Sequence, residues 1–229
     1  MNFSRVTCIK AMFATLGILF CASASASASA AAAADQDQAD INRQALAAAR
    51  SGNMNNFKLL IEQGASPNTR NRAGDSLLMT AITTGQIEIV TLLLDRGADV
   101  NLANVSKVTP LMKAAFLGNT AIAAALMAHK ADSNAVDRLN KTAMVYAAGT
   151  GHKDIVALLL AGGIAPNTRY PNGLTALMWA GAYGHLTTVQ TLLDHGADPA
   201  LLDNRGKNTQ QMADENGHLD VVMYLRGLK

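Results

Sequence analysis

Residues 85–118 read GQIEIVTLLLDRGADVNLANVSKVTPLMKAAFLG and run from one glycine to the next. The interval is fixed along the chain: Gly52, Gly85, Gly118, Gly151, Gly184 and Gly217 are each 33 residues apart. A period of this size, held without an insertion, marks a stack of supersecondary units that bury their apolar faces against each other. Stacks of this kind present long surfaces to partners and seldom gather the convergent polar pocket that catalysis needs.

Working outward from that stretch, the other positions fall into the same register. Twelve residues after four of the glycines stand Gly64, Gly97, Gly163 and Gly196, and four residues further on come Asn68, Asn101, Asn134 and Asn167. Ser76, Thr109, Thr142, Thr175 and Asn208 share one repeat position, each just before a short apolar run. All five are good N-cap residues, whose side-chain oxygen accepts from an otherwise unpaired helical N–H. Pro110 follows Thr109 at the first helical position, where its missing N–H costs nothing. The first helix of each unit is thin, with Ala114-Ala115, Ala147-Ala148 and Ala180-Gly181, and lets neighbours approach closely. The second is longer and more apolar, as in Ile155-Val156-Ala157-Leu158-Leu159-Leu160.

With these residues aligned, the chain resembles the ankyrin-repeat family. Thr109-Pro110-Leu111-Met112, Ala147-Ala148, Gly151-His152, Leu92-Leu93 and Gly97-Ala98-Asp99-Val100-Asn101 carry the likeness. The resemblance implies an all-α solenoid of six helix-turn-helix repeats joined by β-turn or hairpin-like loops. The repeats are about 38–70, 71–103, 104–136, 137–169, 170–202 and 203–229, within a domain of 35–229. Departures are few. Met79, Met112, Val145 and Met178 replace the motif histidine, so its hydrogen bond to the capping residue is expected to be missing. Lys130 replaces the turn glycine, and Lys107 and Asn140 replace the fingertip glycine.

Residues 1–34 have a different composition. Arg5 and Lys10 precede an apolar run from Ala11 to Ala22, followed by alternating Ser and Ala from Ser23 and an alanine tract to Ala34. That order is expected of a secretory signal peptide with an Ala/Ser-rich processing region. The run is too short to span about 30 Å of hydrocarbon as a helix, so no integral membrane association is expected. Cys8 and Cys21, the chain's two cysteines, both lie in this segment. So do two of the 19 basic residues and none of the 17 acidic ones, which leaves a formally neutral remainder. Without a basic stripe to neutralise phosphates, nucleic acid is not an expected partner. A cysteine-free exported chain suits a Gram-negative periplasm, with secretion as the alternative.

No catalytic constellation stands out. His152, His185 and His218 share one repeat position directly after the periodic glycine. Packed helices sit about 8–10 Å apart, whereas two imidazoles on one zinc need nitrogens within about 4 Å. These histidines are therefore expected to hydrogen-bond a neighbouring turn. His129 and His195 fall at the ends of second helices two repeats apart. Neither a serine triad nor a phosphate-binding glycine loop is present. Met79, Met112 and Met178, with Met144, form a thioether row that invites a copper(I) reading, but methionine also fills gaps in cores. Hence no catalytic residues, metal site or cofactor are assigned.

Binding chemistry gathers on one surface. In ankyrin stacks the exposed positions of the first helices and the turn tips commonly bind partners. The resemblance maps these onto the two residues before each periodic glycine, among them Phe116, Leu117 and Tyr183, and a half-exposed position occupied by Tyr146 and Trp179. Tyr and Trp are enriched at interface hot spots. The tips add Arg72, Arg138 and Tyr170. The last repeat carries Gln210, Gln211, Asp214, Glu215 and Arg226, a polar outer face that keeps a stack soluble and monomeric. The expected function is a non-catalytic protein–protein interaction module binding a protein partner, through occlusion or scaffolding. Resemblance suggests an accessory partner of a periplasmic enzyme, as in stress defence, or an immunity protein. A small-ligand or copper-binding periplasmic protein is the alternative.

Overall fold

The capping position decides where each repeat begins. In the computed structural model, which describes residues 34–228, Ser76, Thr109, Thr142, Thr175 and Asn208 each take an extended backbone. Each side-chain oxygen accepts the amide three residues on, from Met79, Met112, Val145, Met178 and Gln211 respectively. The expected N-caps are all present. Five first helices follow them: α3 (Leu77–Thr83), α5 (Pro110–Leu117), α7 (Ala143–Gly149), α9 (Ala176–Ala182) and α11 (Thr209–Glu215). The helix that opens the stack, α1 (34–51), is longer than any of these. Each is paired antiparallel with a second helix: α2 (Met54–Glu62), α4 (Ile87–Asp95), α6 (Thr120–Ala128), α8 (Lys153–Ala161), α10 (Leu186–Asp194) and α12 (Leu219–Gly227).

Two rows of helices result, and the composition of each sets its spacing. In the inner row α3, α5, α7, α9 and α11 touch in sequence, and their alanines (Ala81, Ala114, Ala147, Ala180 and Ala213) are fully buried. Gly181 shows how close this approach is, because a β-carbon there would overlap the Thr209 methyl group. The outer row is held more loosely by larger residues. Leu60, Leu93, Leu126, Leu159, Leu192 and Leu225 form one buried column through all six second helices. Burying each contributes about 1.5–3 kcal/mol. Met79, Met112, Met144 and Met178 are buried as well, so the thioether row fills the core.

Side chains stitch the repeats together. Asn68, Asn101 and Asn167 accept the backbone N–H of Asp99, Asp132 and Asp198 in the following repeat, each at 2.8 Å. His152, His185 and His218 donate from Nε2 to the carbonyls of Phe116, Gly149 and Ala182 in the preceding repeat, at 3.1–3.2 Å. The expected histidine role holds. Arg70 and Arg169 donate to the carbonyls of Ala103 and Leu202 in the next loop. In place of the motif histidine, Met112 supplies a return contact of its own at one cap, where Thr109 N–H reaches its Sδ at 3.5 Å.

The loops between repeats project as fingers, and their shape also follows from one position. Asn71, Asn104, Asp137 and Asp203 each accept two finger amides on one side-chain oxygen, two and four residues ahead. The finger of the fifth repeat has Tyr170 there, which offers no such acceptor. It turns instead through a short 3₁₀ segment, Pro171–Gly173, with Asn172 at φ 64°. Lys107 and Asn140 hold the left-handed conformation at the fingertips and Lys130 does so after α6, as their replacement of glycine implies. Arg70 and Ser76 form an antiparallel bridge at the base of the second repeat's finger. The expected leader, residues 1–34, lies outside the described residues except for Ala34, the first residue of α1.

Candidate functional site

The inner row presents its exposed edge beneath the fingers. On α7, Ala143, Met144, Val145, Ala147 and Ala148 are buried, so helical periodicity turns Tyr146 to the edge of the row. Trp179 occupies the same repeat position on α9 and is likewise half-buried. Phe116, Leu117 and Tyr183 are 49%, 41% and 54% exposed, well beyond what aromatic or aliphatic side chains need for packing.

These rings form two neighbouring groups. Phe116 meets Tyr146 edge-to-face, with centroids 5.9 Å apart and planes at 86°. Trp179 and Tyr183 stack at 5.9 Å with planes 6° apart, and Tyr183 lies against His185 at 6.5 Å. Between the two groups stands Gly149, at the repeat position that holds Phe116 in the third repeat. With no side chain there, the backbone runs close beneath the indole, and a β-carbon would lie 3.7 Å from Trp179 Cε3.

A finger lysine closes the gap from above. Lys141 Nζ lies 5.7 Å from the Tyr146 centroid and 5.3 Å from that of Trp179, within cation–π range of both. Tyr146 is held in turn by its phenol, which donates to Asp137 Oδ2 at 2.6 Å. The phenol pKa is pushed up to about 12, first by burial, then by that hydrogen bond and the negative charge of Asp137. Tyr146 therefore stays a neutral donor across the physiological range. Trp179 Nε1 is buried without a hydrogen-bond partner.

Three shallow hollows meet at Trp179. One lies under the fourth and fifth fingers, between Leu139, Lys141, Tyr170 and Leu174. The second is bounded by Phe116, Tyr146, Thr150 and Tyr183. The third reaches Met212 and Asn216 of the last repeat. Together they make an open groove along the concave face.

The sequence-expected residues divide accordingly. Phe116, Tyr146, Trp179 and Tyr183 come together, and Leu117 is exposed beside Phe116 at the end of α5. Tyr170 lines the groove but is half-buried; burial raises its phenol pKa, partly offset by a hydrogen bond with Thr142. Arg138 is exposed on the fourth finger, its backbone amide bonded to the Ser106 carbonyl. Arg72 stands apart, in a separate hollow beside Arg43 and Arg50 near α1. Lys141 and Asp137 were not visible as site residues in the sequence. The periodic Asn/Asp at the finger position was a usable signal for Asp137; for Lys141 only the folded finger brings the ammonium over the rings.

No cluster of three or more His, Cys, Asp or Glu side chains arranged to hold a metal exists among the described residues. His129 and His195 instead hydrogen-bond carbonyls of their own helices, Ala125 and Thr191. Nor is any described helix long and apolar enough to cross a membrane.

Comparison with protein families gives a match to the family described as ankyrin repeats (3 copies), over residues 19–104, 102–170 and 163–228. No curated protein matches the chain.

Proposed function

Because the chain belongs to the ankyrin-repeat family, whose members are generally protein–protein interaction modules, we infer that it binds a partner protein in its concave groove without performing chemistry. The aromatic array from Phe116 to Tyr183 carries this reading. Aromatic anchors with a polar body or rim supply large contact area at low entropic cost, and they dominate binding energy where they cluster. The groove is open and runs across at least three repeats, which suits an extended protein surface better than an enclosed small molecule.

The chain works in the periplasm as an accessory or immunity-type partner, reached through its leader. The basic start, apolar run and small-residue tract of residues 1–34 support export. A photo-crosslinking residue at position 116, compared with one at Met223 on the opposite side, tests the binding surface in living cells. Selective capture from position 116 supports the concave reading; equal or preferential capture from 223 refutes it. Fractionation with mass spectrometry tests export, which requires a soluble species beginning between Ser23 and Asp35. A full-length membrane-integral species is the contrary result.

A further inference from the structure

The described chain is nearly neutral, yet its charges are sorted between its two sides. On the fingers, Arg70, Arg72, Lys107, Arg138, Arg169 and Arg205 are all exposed. Their acidic neighbours are withdrawn. Asp137 and Asp203 are buried against finger amides, and Asp75 accepts from the Asn104 side chain. On the convex side the balance reverses. The second helices and the turns after them carry Glu88, Asp95, Asp99, Asp132, Asp154 and Asp198 against fewer lysines and arginines. A surface sorted in this way attracts a partner of the opposite sign and orients its approach.

Inside the groove one cation stands out. Arg205 is paired with Asp203, and Lys207 with Glu215. Lys141 has no carboxylate within 4 Å among the described residues, and only the faces of Tyr146 and Trp179 hold it. Its occupancy of those faces also disfavours an incoming cation, which would have to displace it against like charge. Asp137, on the same finger, is committed to two amides and the Tyr146 phenol.

We propose that the groove takes an acidic protein segment, in which an Asp or Glu pairs with Lys141 while an adjacent aromatic or aliphatic side chain packs between Phe116, Tyr146 and Tyr183. The proposal rests on the concave binding reading and names the chemistry of the partner. An Asp or Glu at Lys141 gains a charge-assisted hydrogen bond in a partly desolvated setting, and the fingertip arginines steer the rest of the segment.

Trp179 is the chain's single tryptophan, so its emission reports on the groove alone. Twelve-residue peptides selected from a random-sequence display library on the immobilised full chain are titrated against it in solution. Expected are peptides with two or more Asp or Glu flanking an apolar residue, which shift Trp179 emission. Their affinity should fall at least tenfold with Lys141→Gln and recover with Lys141→Arg. It should also fall between 0.1 M and 1 M salt, as screening shortens from about 10 Å to about 3 Å. Neutral or basic peptides that shift Trp179 emission and ignore Lys141→Gln overturn the acidic partner but leave the groove standing. Peptides that leave Trp179 and the Phe116→Ala, Tyr183→Ala double variant unaffected overturn the groove itself. A dimer that the double variant dissolves puts a second copy there and also overturns the proposal, as does a selection that enriches nothing.

Discussion

Asp137 shows how one residue serves both fold and surface. Its Oδ1 holds the finger amides of Leu139 and Lys141, as Asn71 and Asn104 do in earlier repeats, while Oδ2 takes the Tyr146 phenol. Asp137→Asn should keep the finger, since asparagine already fills that role twice, and should remove the negative charge beside the phenol. The expected outcome is a Tyr146 pKa lowered from about 12 while remaining above the ordinary 10, because burial is the larger cause. Ultraviolet titration of the variant, with Tyr146→Phe to identify the signal, measures it. The sign for stability follows. A phenol pKa raised on folding stabilises the protein fully below pH 10, and that contribution is lost as pH climbs through about 12. Lys130 offers a second test at this scale. It sits at φ 64° after α6, where Gly64, Gly97, Gly163 and Gly196 stand in other repeats. A side chain there costs about 1 kcal/mol, partly offset by the greater backbone entropy that glycine loses on folding. Lys130→Gly should stabilise by roughly 0.5 kcal/mol in equilibrium denaturation, without altering partner affinity.

Among the elements, the turn between the two helices of a repeat does more than reverse the chain. Gly118 has φ 75°, and the His152 ring of the next repeat lies where its β-carbon would be. Gly97 has a similar φ of 78° with open space around it. Gly97→Ala should therefore cost only the left-handed conformation, about 1 kcal/mol. Gly118→Ala should cost clearly more, because the ring is pinned to the Phe116 carbonyl and must give up that bond to move. Urea denaturation of both variants, with His152→Ala added to the second, separates the terms; equal costs would show that the ring yields freely. The helices, caps and glycine turns were legible in the sequence because each is fixed by residues only a few positions apart. The histidine bond to the preceding repeat was legible only as a tendency. The Met112 thioether contact was not, since it depends on a rotamer chosen by core packing.

At the scale of the whole molecule, stacking turns a period in sequence into a surface. Phe116, Tyr146, Trp179 and Tyr183 come from three consecutive repeats; the close packing of the inner row sets Phe116 against Tyr146, and Lys141 links Tyr146 to the Trp179–Tyr183 stack. Removing the two most exposed rings, Phe116→Ala with Tyr183→Ala, should weaken partner binding by more than about 2 kcal/mol. Helical circular dichroism should barely change, because neither ring belongs to the buried core. Isothermal titration with the crosslinked partner checks it. Intact binding in this variant, lost instead on Arg138→Ala, would move the interface to the fingertips.

By itself the sequence determined the repeat, its six units, its caps and the positions that face outward. These follow from local backbone chemistry repeated at a constant interval, so one unit read correctly gives all of them. It also marked most of the aromatic surface, since a large apolar ring at an exposed repeat position is conspicuous. Only the tertiary structure decided which of those residues form one groove. Arg72, at a turn tip, and Phe116, on a first helix, are both expected at the partner surface from sequence, yet they lie at different hollows. Lys141 belongs to a finger and Trp179 to a helix of the next repeat, 38 positions on. Their meeting depends on how the fourth finger folds over the inner row, a geometry set by inter-repeat packing and by the bonds of Asp137.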